Sequence, residues 1–267
     1  DLPDAYLADI SYLPQYYYFD ESIIYGDEKK LTRDEFFDQL SRQRAYTAGV
    51  NPGLVEQRFE ETLKAGKDIL CITVSSGLSG SCGNAMLAAE ELMEEREDCH
   101  IIVVDSKCAS MGEGLFVHKA VMMKEQGKTM KETADYLNAL VPHLTHVFTV
   151  DDLNHLYRGG RVSKAAAIVG TIAGIKPILH VDDEGHLIPL SKVRGRKKSL
   201  NALVDYMEQK VKDGYLEKND IVFISHGDAL ADAEYVKEEI GRRFGITEFK
   251  INHIGPTIGA HSGPGTI

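Results

Sequence analysis

Two stretches of this sequence concentrate side chains that can do chemistry. The first is Ser75-Ser76-Gly77-Leu78-Ser79-Gly80-Ser81, with four hydroxyls and two glycines in seven residues. Hydroxyls donate and accept hydrogen bonds, and glycines let backbone N–H groups approach an anion closely. The same serines would also cap a helix starting at this point. The loop has neither the Gly-Lys-[Ser/Thr] of a P-loop nor the G-x-S-x-G of a nucleophile elbow. The second stretch is residues 254–265, Ile-Gly-Pro-Thr-Ile-Gly-Ala-His-Ser-Gly-Pro-Gly. So many glycines cost backbone entropy unless the shape is used. His261 sits among small residues, which favours a functional imidazole over one packed in a bulky core, although the spacing names no reaction.

Two further stretches carry weaker signals. Arg158-Gly159-Gly160-Arg161-Val162-Ser163 runs into an apolar helical pattern over Ala165–Ile172. That helix is either part of a core or a wall for an apolar ligand. Arg194, Arg196, Lys197 and Lys198 place four cations in five residues of an acidic chain. They form either a solvated loop or a docking patch for an acidic partner or phosphates. No metal site is expected: His143 and His146 are three apart but have no third ligand. Asp151 and Asp152 read as the start of a helical turn rather than an acid–base pair.

The elements that must position these residues follow from composition and periodicity. The chain has 267 residues, with 30 Lys plus Arg, 41 Asp plus Glu and a net charge of −11. At 43% apolar and 27% charged, it has the balance of a folded globular protein with one large or two small domains. An acidic balance argues against a nucleic-acid partner, which needs a basic face. The longest smooth apolar stretch, Ala165–Ile175, is too short to span a bilayer, and Asp1-Leu2-Pro3-Asp4 has no signal-peptide pattern. Cys71, Cys82, Cys99 and Cys108 fit no C-x-x-C pattern and read as free, mostly packed thiols of a reducing cytoplasm.

Short apolar runs at Asp68–Val74 and His100–Asp105 flank a strong helix over Ser79–Glu97, which predicts a βαβ unit and a parallel sheet. The Ser75–Ser81 loop then leaves a strand at its carboxyl end, the edge where open α/β sheets bind ligands. Asn51-Pro52, Thr32-x-x-Glu35 and Thr129-x-x-Glu132 open three more helices. Beyond Pro142 the pattern changes. Thr145–Val150 reads as a strand, and strands at Lys176–Val181 and His186–Lys192 flank the hairpin signal Asp182-Asp183-Glu184-Gly185. A helix over Lys197–Lys212, a strand at Asp220–Ser225, a helix over Leu230–Phe244 and a strand at Ile246–Ile251 follow. This predicts an α/β chain with a parallel-sheet N-terminal domain, residues 1–143, and a mixed-sheet C-terminal domain, residues 144–267.

Taken in order, these stretches resemble the DegV family. The family carries S-S-x-L-S-G-[ST], matched by Ser75–Ser81, and [V/I]-[I/V]-D-[ST]-x-x-x-S-x-G, matched by Val103–Gly112. It carries G-G-R-[IV]-S-K-A, I-K-P-I-L and V-R-G-R-K-K, matched by Gly159–Ala165, Ile175–Leu179 and Val193–Lys198. Its I-G-P-x-I-G-x-H-[ST]-G-P-G is matched by residues 254–265. The family's T-S-Q-P-[ST]-P appears as Thr47-Ala48-Gly49-Val50-Asn51-Pro52, which keeps the threonine and changes the Ser, Gln and first Pro. The family's opening T-D-S-x-x-D-L-P is met only from its D-L-P, and the apolar strand after G-P-G only to Ile267. The resemblance therefore implies a sequence trimmed at both ends.

The resemblance implies a two-domain fold, with helices on both faces of the N-terminal parallel sheet, holding one long-chain fatty acid between its domains. Several members are the binding subunit of a bacterial fatty-acid kinase, whose partner phosphorylates the bound carboxylate to an acyl-phosphate for phospholipid synthesis. Carried onto this chain, the carboxylate ligands are Thr47, Ser79 and His261. Ser79 is chosen because it precedes Gly80 at the helix start, with Ser75 and Ser76 as alternatives. The implied protein is a cytoplasmic carrier and presenter, without catalytic residues, cofactor, metal, nucleic-acid partner or membrane insertion. Arg194, Arg196, Lys197 and Lys198 are the candidate kinase-docking patch. The rival readings are a hydrolase or transferase using Ser79 with His261, and a lipid-sensing regulatory module. None of the three carboxylate loops carries an arginine, which would compete with attack on a phosphoryl donor.

Overall fold

Short-range capping chemistry sets three of the helix starts, at Thr32, Asn51 and Thr129. The computed structural model describes residues 1–3, 6, 10–20, 23–26, 29–96, 98–163, 174–212 and 219–267. Strand β1 (Tyr16–Tyr18) pairs antiparallel with β2 (Tyr46–Ala48), and helix α1 (Arg33–Arg42) lies between them in sequence. Thr32 and Glu35 close a capping box at the start of α1. Helix α2 (Pro52–Lys64) starts where the Asn51 side chain accepts the Gly53 N–H at 2.9 Å, with Pro52 at its first position.

Strand β3 (Ile69–Thr73), helix α3 (Ser81–Glu95) and strand β4 (Ile101–Asp105) form the expected βαβ unit, paired in parallel from Ile69↔Ile101 to Thr73↔Asp105. Side-chain alternation buries both faces of this pair. Ile69 and Ile101, with Cys71 and Val103 against them, meet Ala85, Ala88, Ala89 and Leu92 of α3. Leu70, Ile72, Ile102 and Val104 face the other way, toward Phe116 of α4 (Met111–Glu125) and Ala134 and Leu137 of α5 (Met130–Leu140). A strand buried on both sides needs a continuous apolar run, and Ile69–Ile72 and Ile101–Val104 supply it. Thr129 and Glu132 make the second capping box, at the start of α5.

Strand β5 (Val147–Thr149) precedes the short helix α6 (Asn154–Arg158). Strands β6 (Ile175–Val181) and β7 (Leu187–Arg194) form a hairpin, and β5 pairs antiparallel with β6. Asp182 shapes the turn by accepting N–H groups of Glu184 and His186 at 3.1 and 2.8 Å. Helix α7 (Arg196–Lys210) follows directly. Strand β8 (Val222–His226), helix α8 (Leu230–Phe244) and strand β9 (Phe249–His253) make a second parallel βαβ unit, and α9 (Pro256–Ser262) ends the helical structure. Leu200, Leu203 and Val204 of α7 and Ala233, Val236 and Ile240 of α8 pack with Ile178 and Ile224 in one core.

The mixed α/β class holds, with local differences. Helix α3 begins at Ser81, because Gly80 occupies the N-cap position. The last parallel strand begins at Phe249 rather than Ile246. Helix α8 stops at Gly245, whose φ of 71° ends the helix. Ile246 is then buried in the core, and ladder pairing starts only at Phe249↔Val222. Asp151 does more than open a turn, since its carboxylate pairs with Lys176 at 2.6 Å and Arg196 at 3.4 Å. The apolar pattern over Ala165–Ile172 lies outside the described residues.

Candidate functional site

Segments distant in sequence approach one another at the candidate site: Thr47 meets His261, and Ser79 lies beside Gly49 in the loop that follows Thr47. Thr47 lies on β2, which is held by β1 and by the aromatic cluster of Tyr17, Phe19, Tyr25 and Phe36. Ala260 of α9 is buried in that same cluster. Helix α9 is thereby seated against the β1–β2 pair, one residue before His261. The outcome is a hydrogen bond of 2.7 Å between Thr47 Oγ1 and His261 Nε2.

Ser79 approaches from the first βα loop. Its hydroxyl lies 3.0 Å from Ser81 Oγ and accepts the Ser81 N–H at 3.3 Å. Ser81 is 6% exposed, and its hydroxyl accepts the Val50 N–H at 3.1 Å. Asn84 donates to the Val50 carbonyl at 3.0 Å. The start of α3 is thus bonded to the loop after Thr47. A Cβ at Gly49 would lie 3.1 Å from the Ser81 hydroxyl and 3.5 Å from the Ser79 hydroxyl, which places Ser79 against the loop that follows Thr47.

Ser75 and Ser76 have other partners. Ser75 is fully buried, donates to the Gly185 carbonyl at 2.8 Å and accepts the Gly77 N–H at 3.1 Å. It ties the βα loop to the β6–β7 turn, where Gly185 has a φ of 84° and a Cβ would strike the Ser75 hydroxyl. Exposed Ser76 accepts from Lys107 Nζ at 2.8 Å, and its N–H donates to Asp105 at 3.2 Å. Gly80 is exposed at the helix start.

Arg161 is the site residue that reading the three loops missed, although it stands in the Gly-Gly-Arg stretch. Its Nε and Nη2 donate to the Leu78 carbonyl at 3.2 and 3.0 Å, and its Nη1 donates to the Gly159 carbonyl. One half-buried guanidinium therefore joins the residue before Ser79 to the glycine against His261. Three of its five N–H donors are engaged by these carbonyls, and its charge adds positive field beside His261. Arg44, for which the sequence held no signal, donates to the Arg158 carbonyl and lies 4.6 Å over the Tyr46 ring.

Burial, reinforced by the charges of Arg161 and Arg44, pushes the His261 imidazole down to about 4. At neutral pH it is an uncharged hydrogen-bonding group. Its Nδ1 is buried without a hydrogen-bond partner among the described residues, and a Cβ at Gly159 would strike that nitrogen. A neutral histidine, two hydroxyls and two nearby cations suit an anion that is held by hydrogen bonds in a positive field.

The DegV family model matches residues 1–267. The chain belongs to the DegV family. A DegV domain-containing protein of Clostridium perfringens is 37% identical over 271 residues, covering 100% of this chain and 92% of that protein. The solved structure of a stearic acid-binding protein from Eubacterium ventriosum superposes with a TM-score of 0.89 at 25% identity, covering 100% of this chain and 92% of that one. The fold is also shared with the Streptococcus pneumoniae Fatty Acid Kinase (Fak) B3 protein loaded with linoleic acid, at a TM-score of 0.84 and 24% identity, covering 95% and 88% of the two chains.

Other DegV motifs have structural partners. In the Val103–Gly112 motif, Asp105 pairs with Lys107 at 2.9 Å and accepts the Lys107 N–H at 3.1 Å. Ser106 is buried and donates to the Thr73 carbonyl at 2.7 Å. The basic run is divided. Arg196 pairs with Asp232 at 2.7 Å and with Asp151, and Lys197 lies 5.5 Å over the Tyr235 ring. Arg194, Lys197 and Lys198 are exposed. The four cysteines are free, and burial pushes Cys71 and Cys108 up to about 12. Among the described residues no group of three or more His, Cys, Asp or Glu could hold a metal, and no helix is long and apolar enough to cross a membrane.

Proposed function

We propose that this DegV protein binds one long-chain fatty acid between residues 1–143 and 144–267, taken as two domains, and presents the carboxylate to a partner fatty-acid kinase. The observation that carries the reading is the Thr47–His261 hydrogen bond with Ser79 facing the same loop. An acyl chain gains roughly 0.8 kcal/mol per buried methylene, so an apolar tunnel supplies affinity without an ion pair. The carboxylate then needs donors to offset its desolvation. Thr47, Ser79 and neutral His261 meet that need, and the field of Arg161 and Arg44 favours the charged head. An oxygen held by hydroxyls and an imidazole keeps a lone pair for attack on a phosphoryl group, which yields an acyl-phosphate on the ligand and leaves the protein unmodified.

In this reading the protein is a cytoplasmic binding subunit, and the chemistry belongs to the kinase. A Ser–His nucleophile requires an orienting partner on the second imidazole nitrogen. His261 Nδ1 has none among the described residues, and its Nε2 engages Thr47 rather than Ser79. Mass spectrometry of lipid extracted from the purified protein is the decisive experiment. A fatty acid near one per chain is expected; a well-folded sample yielding only nucleotide, sugar or nothing overturns the reading.

A further inference from the structure

Helix α3 stands apart from the other long surface helices in its charge. Over Ser81–Glu95 it carries Glu90, Glu91, Glu94 and Glu95 and no cation. Other helices offset their acids within one turn, as in Arg42–Asp38 of α1, Lys64–Glu60 of α2, Lys131–Asp135 of α5 and Arg242–Glu239 of α8. Carboxylates toward a helix C-terminus also oppose its dipole. The glutamates of α3 thus have no cation within their own helix to offset them, and the nearest in sequence is Arg96 at its C-cap.

Apolar side chains share this surface. Met86, Leu87 and Met93 are 47%, 52% and 39% exposed. Met86, Ala89, Glu90, Met93 and Glu94, with Ile101 and Val103 of β4, line a shallow groove of about 410 Å³. Strand β4 has β3 as its only partner among the described residues. Met86, Glu90 and Met93 follow an i, i+4, i+7 spacing, roughly 10 Å along the helix and close to two turns.

We propose that this groove docks a cationic amphipathic helix of a partner protein. Two turns of apolar contact match the anchors such a helix presents, and flexible methionines mould to them. The glutamates then meet the lysines or arginines that flank the apolar stripe, forming a charged rim around a dry centre. A second copy fits poorly, because an isologous contact would set these carboxylates against their own counterparts. An anionic membrane surface fails for the same reason.

The test labels the methionine methyl groups of the full chain with carbon-13 and titrates it with a short amphipathic helix of leucine and lysine. Saturable shifts at Met86 and Met93 are expected, with buried Met111 unmoved. Glu90→Gln/Glu94→Gln should weaken binding roughly tenfold, whereas Glu234→Gln/Glu238→Gln on α8 should leave it unchanged. No saturation, shifts confined to other methionines, or equal loss from the α8 pair overturns the proposal. A concentration-dependent dimer that shifts Met86 and Met93 without peptide also overturns it, since a second copy then covers the groove.

Discussion

Thr47 Oγ1 and His261 Nε2 lie 2.7 Å apart across 214 residues of sequence. The bond fixes the rotamers of both side chains before any ligand arrives. It also leaves the threonine hydroxyl and the imidazole with little conformational freedom to lose on binding, which is the advantage of a preorganised site.

Replacing Ser79 or His261 by Ala is expected to weaken fatty-acid binding or presentation while the fold persists. Each change removes a hydrogen bond to a charged group, worth about 1.5–3 kcal/mol, or roughly ten- to hundredfold in affinity. Gly159→Ala should act like His261→Ala, since its methyl group occupies the space of the imidazole Nδ1. Affinity and acyl-phosphate yield unchanged in all three variants would refute the head-group assignment.

Ser75→Ala should behave differently. It strips the Gly185 carbonyl and the Gly77 N–H of their partner inside a fully buried contact. A loss of about 1–3 kcal/mol in stability is expected, read by denaturant titration, with the lipid content of the folded fraction unaltered. Lost lipid at unchanged stability would instead make Ser75 the carboxylate ligand.

The basic run is tested with Arg194→Glu/Lys198→Glu, which spares Arg196 and its pair with Asp232. If the exposed cations dock an acidic kinase surface, phosphorylation of the bound acid should slow and become less salt-sensitive, at constant fatty-acid affinity. Normal kinetics with a cognate kinase would reduce the run to a solvated loop, and lost lipid affinity would assign it to the pocket.

Three imidazoles with lowered pKa values, buried His226 and half-buried His146 and His261, set a pH dependence. Burial pushes His146 and His226 down to about 4, with His253 and Arg33 adding to the effect on His226, and His261 reaches the same value. Unfolded histidine titrates near about 6.5. Between these values each of the three histidines binds more protons in the unfolded chain than in the folded one, so together they lower stability as pH drops from about 6.5 to about 4; Glu113, pushed up to about 7 by burial, opposes them with a single proton. The denaturation midpoint should decline across that window, and the His261 ring resonances should titrate near its lower end. A His261 titration near 6.5 would contradict the neutral imidazole.

The sequence by itself determined the local elements and the chemistry of the loops. Thr32 with Glu35, Thr129 with Glu132, and Asn51 with Pro52 start their helices where they were read, because a cap involves only residues within one turn. The unbroken apolar runs Ile69–Ile72 and Ile101–Val104 determined β3 and β4, since a strand covered on both faces favours apolar residues on successive positions. The motifs, in order along the chain, identified the DegV family.

Only the tertiary structure decided how the serines divide. Ser75, Ser76, Ser79 and Ser81 share one composition, and the partners that separate them come from elsewhere in the chain: the Gly185 carbonyl, Lys107 and the Val50 N–H. The role of Arg161 was equally illegible, because it depends on the Leu78 carbonyl lying 83 residues away in sequence. The basic run could not be read as divided until α8 brought Asp232 beside Arg196. Residue type sets which bonds a side chain can make, whereas long-range packing chooses which of them are made.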